Sequence, residues 1–102
     1  LMRLGNVISY IERNYTKELS LESLAKRASM SPSTLHRAFT TALEESPINY
    51  LISVRLAKAK EMLISSTLSI SEISMKTGFR DSNYFSRIFK KRTGKSPREY
   101  RL

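Results

Sequence analysis

The sequence predicts an all-α fold of about seven helices, in which a pair of short helices occurs twice around one long connecting helix. Three observations lead there. Apolar residues recur at spacings of three and four, the helical period. Gly and Pro number three each among 102 residues, and β-branched residues do not cluster into strands. Finally, a set of residues in the first half returns about fifty positions later. The length suits one domain with a modest core.

A first helix is expected over about Leu4 to Asn14, with Val7, Ile8, Ile11 and Tyr15 on one stripe. Ser20 then caps a short helix carrying Leu21, Leu24, Ala25 and Ala28. Ser31-Pro32 supplies a cap and a first-turn proline ahead of Leu35, Ala38, Phe39 and Leu43. Ser46-Pro47 repeats that start before a long helix reaching about Ile64, whose wide apolar face holds Ile48, Leu51, Ile52, Leu56, Ala59 and Leu63. Ser69-Ile70-Ser71-Glu72 reads as a capping box opening another short helix with Ile73 and Ser74, and Gly78 suits the left-handed position beyond its end. Asp81 caps the next helix, with Tyr84, Phe85, Ile88 and Phe89, and Ser96-Pro97 opens a last turn containing Tyr100.

The repeat is explicit. Leu35, Arg37, Phe39, Ser46-Pro47 and Tyr50 return as Phe85, Arg87, Phe89, Ser96-Pro97 and Tyr100, an offset of fifty. Leu21 and Leu24 return as Ile70 and Ile73 at forty-nine, so one residue is inserted in the second turn. Two copies indicate a duplicated supersecondary unit, since a solenoid needs at least three.

Eighteen Lys and Arg against nine Asp and Glu give a net charge of +9. A polyanion such as nucleic acid, or an anionic membrane surface, is the implied partner; the alternative is solubility alone. Residues 1–51 carry six basic and five acidic groups and residues 52–102 twelve and four, so an anion meets the second half first. No cysteine and a single histidine leave no disulfide and no expected metal site or cofactor. No apolar run approaches the roughly 18 residues of a membrane span, so the expected location is cytoplasmic, without a membrane partner. The start at Leu1, without linker or leader, reads as the edge of a piece from a longer protein; the alternative takes Met2 as the initiator.

A helix-turn-helix needs a short first helix with a small residue facing its partner, a tight turn, and a second helix whose exposed N-terminal face can enter the major groove. In the first copy these are Ala25, Ser29-Met30-Ser31 and the helix from Pro32 to Leu43; in the second, Ser74, Gly78 to Asp81, and Ser82 to Lys91. The expected organisation is one DNA-binding domain, 1–102, with helix-turn-helix subdomains at 4–45 and 68–101 and a linker helix at 47–64.

The run from Gly78-Phe79-Arg80-Asp81-Ser82-Asn83-Tyr84-Phe85 through Ser96-Pro97-Arg98-Glu99-Tyr100-Arg101 resembles the signature of the AraC/XylS transcription regulators. Tyr50-Leu51, Arg55-Leu56, Ala59 and Met62-Leu63 are similar to that family's connecting helix, so the resemblance covers about residues 7–101. It implies seven helices and double-stranded DNA as partner, with the third and sixth helices entering successive major-groove segments. It further implies regulation of transcription, with activation through RNA polymerase, and often an upstream sensor domain that also dimerises; the present piece is expected to be monomeric. A stiff connector would let the two helices address groove segments about 34 Å apart.

Carried over residue by residue, the base-contacting set is Ser33, Thr34, His36 and Arg37 in the first reading helix and Ser82, Asn83, Ser86 and Arg87 in the second. Arg37 and Arg87 lead it, because a guanidinium donates two bonds to guanine O6 and N7, and Asn83 suits adenine. The alternative for each arginine is a solvated surface residue, and for His36 a phosphate contact or simple exposure. The phosphate-contacting set is Ser31, Thr40, Arg80, Tyr84, Lys90, Lys91 and Arg92. Lys90, Lys91 and Arg92 also suit a helix C-terminus electrostatically. Phe39, Phe85, Phe89, Tyr50 and Tyr100 are assigned to the core rather than to base stacking.

The first copy departs from the family pattern at Ser29-Met30, where Gly and an aromatic are usual, and it has Thr40-Thr41 and Glu44 where the second has Lys90-Lys91 and Gly94. Most electrostatic affinity is therefore expected from the second copy. An enzyme is disfavoured: there is no phosphate loop and no carboxylate pair with a base. A helical protein-interaction module with a nonspecific basic surface is the alternative. RNA is a third partner class, but the sheet platforms of common RNA modules are missing.

Overall fold

The computed structural model describes residues 2–102, with side chains from Leu4 onward. Seven helices follow in order: α1 Met2–Asn14, α2 Leu21–Arg27, α3 Pro32–Leu43, α4 Pro47–Ser65, α5 Ile70–Lys76, α6 Ser82–Thr93 and α7 Pro97–Arg101. No strand occurs among the described residues.

Side-chain oxygens fix where the helices begin. The first backbone N–H groups of a helix have no partner within it, and a capping oxygen satisfies one or two of them. Ser69 and Ser96 open α5 and α7 with reciprocal boxes: the Ser69 N–H donates to Glu72 Oε1 at 2.9 Å and the Ser96 N–H to Glu99 Oε1 at 2.8 Å. These backbone bonds hold both carboxyls below the usual carboxylate range. At α2 a serine replaces the glutamate, Ser20 and Ser23 each accepting the other's N–H at 3.0 Å. Asp81 Oδ1 accepts from Asn83 N–H at 2.9 Å and Tyr84 N–H at 3.2 Å at the start of α6.

Packing divides the chain into two compact units, Leu1–Val54 and Arg55–Leu102, with α4 continuous through the division. The first unit's core joins Leu4, Val7 and Ile11 of α1 to Leu24, Ala25, Ala28, Leu35, Phe39 and Leu51. In the second unit Leu56, Ala59, Leu63, Ile73, Phe79, Phe85 and Phe89 are buried. The burial pattern extends the repeat: Leu4, Val7 and Ile11 correspond to Leu56, Ala59 and Leu63 at an offset of fifty-two. Pro47 and Tyr50 correspond to Pro97 and Tyr100 at fifty. Thus α4 fuses the closing turn of the first unit with the opening helix of the second.

Of the five aromatic residues assigned to the core, the three phenylalanines are buried and the two tyrosines half-buried against them. Phe39, Phe85 and Phe89 are fully buried. Tyr50 packs on Phe39 at 5.7 Å between ring centroids and Tyr100 on Phe89 at 5.4 Å, the same pair in each unit. The Tyr50 hydroxyl donates to Glu12 Oε2 at 2.7 Å; burial, and then the neighbouring carboxylate, push the phenol up to about 12. In the second unit the Arg101 guanidinium donates to the carbonyls of Leu63 at 3.0 Å and Ser66 at 3.3 Å, satisfying acceptors at the end of α4.

Candidate nucleic-acid interface

Each unit presents a short helix, a tight turn and an exposed second helix. After α2 the chain reverses at Ser29 in the left-handed region (φ 55°), and the Met30 N–H closes onto the Ala25 carbonyl at 3.0 Å. After α5 the same reversal occurs at Gly78 (φ 92°), with the Phe79 N–H on the Ser74 carbonyl at 3.0 Å. The closing residue is the small core-facing one in both cases: Ala25 is 1% exposed and Ser74 0%.

The residue inserted in the second turn is Arg80. It also has a positive φ, 67°, and the Asp81 N–H reaches back over it to the Phe79 carbonyl at 2.8 Å. A two-residue hydrogen bond around a positive φ is a tight and rare γ-turn, uncommon for a residue with a Cβ.

The first reading helix, α3, buries Leu35 and Phe39, and α6 buries Phe85 and Phe89. With about 100° per residue, the face opposite the buried pair holds Ser33, Arg37 and Thr41 in α3 and Asn83, Arg87 and Lys91 in α6. Thr34 and Tyr84 flank that face on one side, and His36, Thr40, Ser86 and Lys90 on the other. Ser33, Thr34, His36, Arg37, Asn83 and Arg87 are exposed; Ser82 and Ser86 are half-buried. Ser82 is the first residue of α6, beside its cap.

The expected phosphate set is more varied. Lys90, Lys91 and Arg92 are exposed in the last turn of α6, where their charge also complements the helix C-terminus. Arg92 lies about 140° around the helix from Arg87. Ser31 is engaged as the α3 cap: it accepts from the Thr34 N–H at 3.2 Å and donates to Thr34 Oγ1 at 2.8 Å. Thr40 donates its hydroxyl hydrogen to the His36 carbonyl at 2.7 Å, so in this rotamer it offers a phosphate no donor. Arg80 is exposed in the turn, and Tyr84, 37% exposed, stands with its ring centroid 6.0 Å from the Arg87 guanidinium.

A shallow hollow borders each reading face. In the first unit it has a volume of about 450 Å³, with Thr34, Arg37, Ala38, Thr41 and Ala42 of α3 alongside Leu4 and Met30. In the second unit Tyr84, Arg87, Ile88 and Lys91 line one of about 290 Å³. Guanidinium beside apolar carbon is the pairing that reads guanine next to a thymine methyl.

A model of a helix-turn-helix domain matches residues 24–102. The transcriptional activator RhaS of Escherichia fergusonii is 38% identical over 99 residues, 97% of this chain and 36% of RhaS. The chain belongs to the AraC-type helix-turn-helix family. It spans about a third of the length of the curated relatives it matches first. Among solved structures, the C-terminal domain of AraT, a response regulator from Geobacillus stearothermophilus, superposes with a TM-score of 0.93 at 37% identity, over 97% of this chain and 83% of that one. The DNA-binding domain of AdpA, solved with a target DNA, gives 0.92 at 31%, over 96% and 88%. The fold expected from the sequence, two helix-turn-helix units around a long helix, is the one found.

Two first-unit positions that carry side chains adopt the left-handed backbone of the second unit's glycines. Ser29 adopts the left-handed turn that Gly78 adopts in the second unit, and Glu44 (φ 59°) ends α3 as Gly94 (φ 86°) ends α6. Thr41, which the repeat matches to Lys91 but which stands in neither expected contact set, shares the face of Arg37.

Proposed function

We propose that residues 1–102 act as one AraC-type DNA-binding domain that regulates transcription, probing a major-groove segment with α3 and another with α6. The observation that carries this is the face shared by the two helices: Ser33, Arg37 and Thr41 in one, Asn83, Arg87 and Lys91 in the other, each opposite its unit's buried aromatic. The subdomains run over 4–45 and 68–101 with the linker helix at 47–64, and Arg37 and Arg87 each read a guanine. The name of RhaS supports activation, and the AdpA complex supports double-stranded DNA as the partner. Contact with RNA polymerase, a cytoplasmic location and the lack of catalysis belong to the same proposal. No helix among the described residues is long and apolar enough to cross a membrane.

The test is selection of this domain on randomised duplexes of about 25 base pairs at fixed salt, for the wild type, Arg37→Ala and Arg87→Ala. The proposal expects two short enriched blocks, with each substitution erasing preference in one block only, by about 1–3 kcal/mol per lost bidentate contact. Salt-sensitive binding without any enriched block would instead favour a nonspecific basic module.

A further inference from the structure

Away from both reading faces, the first unit has a crevice of about 250 Å³ between α1 and α2. Asn6, Tyr10 and Arg13 of α1 and Arg27 of α2 form its polar wall, over a floor of buried Val7 and Leu24. The Arg27 guanidinium stands over the Tyr10 ring, 3.8 Å from its centroid. A guanidinium held on a ring keeps its N–H groups at its rim and has less side-chain freedom left to lose on binding. Arg13 follows Tyr10 by one helical turn, on the same side of α1. Among the described residues no carboxylate lies within ion-pair distance of Arg13 or Arg27. Glu12, next to Arg13 in the chain, accepts instead from the Tyr50 hydroxyl.

The repeat supplies an internal control. At an offset of fifty-two, Asn6, Tyr10 and Arg13 correspond to Lys58, Met62 and Ser65, and at forty-nine Arg27 corresponds to Lys76. The second unit therefore has neither a ring nor a guanidinium at these places, and its Lys58 pairs with Glu61 at 4.0 Å. The shared scaffold does not require what the first unit carries. No residue of α3 lines the crevice. Leu35 and Phe39 of α3 share a core with Val7, Ile11 and Leu24, so α1 and α2 lie on the side of α3 away from its reading face.

We propose that this crevice binds a carboxylate, the Asp or Glu side chain of an acidic segment in a protein partner, while α3 is engaged with DNA. Two guanidiniums, an amide and a phenol offer donors without any negative charge, and a planar carboxylate takes two parallel bonds from one guanidinium. Asn6, Arg13 and Arg27 are exposed, so a free small carboxylate gains as little there as an exposed ion pair does. A side chain presented by a protein segment brings further contact area with it. A phosphate of the duplex read by α3 lies on the other side of that helix. Binding at the same time as DNA rests on the DNA-binding reading above; the site itself does not.

The experiment titrates the full chain, alone and bound to its selected duplex, with a hexaglutamate peptide, sodium acetate and inorganic phosphate at one ionic strength. Heteronuclear NMR follows the side-chain N–H signals of Asn6, Arg13 and Arg27, and thermal melts accompany each variant. Both arginines are exposed, so replacing either leaves the core intact. Hexaglutamate should shift these signals saturably in both states. Arg13→Gln and Arg27→Gln should each weaken that binding about tenfold, the order of one lost charged hydrogen bond, with duplex affinity unchanged. In the chain alone, alanine at Lys90 and Lys91 should leave it as in the wild type. Equal weakening by that lysine variant, or no saturable shift, overturns the site. Acetate or phosphate binding as tightly as hexaglutamate overturns the protein partner in favour of a free anion. A shift abolished by the duplex overturns simultaneous binding, and weaker duplex binding in Arg13→Gln reassigns the crevice to a DNA phosphate. Absence of any duplex binding overturns the DNA-binding reading instead, and the titration of the chain alone then decides the site.

Discussion

Ser74 is the position where the two units differ most cleanly. It is 0% exposed, its Oγ has no hydrogen-bond partner, and its counterpart in the first unit is Ala25. A hydroxyl buried without a bond costs about 1–3 kcal/mol in folded proteins. Removing it leaves a void of one oxygen atom, which at about 24 cal/mol per Å³ returns only a few tenths of a kcal/mol. Ser74→Ala should therefore stabilise the second unit by about 1 kcal/mol, equivalent to about 5 °C in Tm for a domain of this size. The assay is urea unfolding followed by circular dichroism, with the mirror substitution Ala25→Ser measured beside it. That variant should lose a comparable amount, because it places a hydroxyl in the equivalent site. A Ser74→Ala variant less stable than wild type by 1 kcal/mol or more would mean that the hydroxyl makes a bond in solution, and the reasoning would fail.

Three further outcomes follow from other sites. Ser29→Gly and Glu44→Gly should each stabilise the first unit by about 0.5–1 kcal/mol in the same unfolding assay, since both residues occupy left-handed conformations that favour glycine; a loss at either would show that the native side chain is held by contacts outweighing the backbone strain. The Tyr50 phenol, ordinarily near 10.0 and raised to about 12 in the fold, contributes stability that is fully present below pH 10 and lost as pH rises toward 12. Tyr50→Phe should remove that component of the alkaline decline, visible as a smaller difference in Tm between pH 9 and 12. Replacing Lys90 and Lys91 together by alanine should lower the salt slope of DNA binding by about two units, whereas alanine at Thr40 and Thr41 should leave it unchanged; an unchanged slope in the lysine variant would remove α6 as the main electrostatic contact.

The fold was legible because its punctuation is local. Ser31-Pro32, Ser46-Pro47, Ser69 to Glu72, Asp81 and Ser96-Pro97 each announce a helix start through a side chain that bonds backbone within three residues, and such signals survive without tertiary context. The exposed reading faces were legible for a related reason, since fixing the buried pair of a helix fixes its opposite face. Three features were not legible. Left-handed backbone at Ser29, Glu44 and Arg80 has no glycine to mark it and is imposed by the packing of the short helices around it. The commitment of the Thr40 hydroxyl to the His36 carbonyl depends on a rotamer that sequence does not specify. The double role of α4 emerged only from burial, because Leu56, Ala59 and Leu63 resemble Leu4, Val7 and Ile11 in position more than in identity. The two copies differ at their turns and helix ends. The first copy holds its turn and helix end with Ser29 and Glu44 where the second uses glycine, while the second adds Arg80 and carries Lys90 and Lys91 where the first has Thr40 and Thr41. Duplication preserved the scaffold of short helix, turn and exposed helix and left turn strain and charge free to differ, so the two units of one chain are built alike and charged unequally.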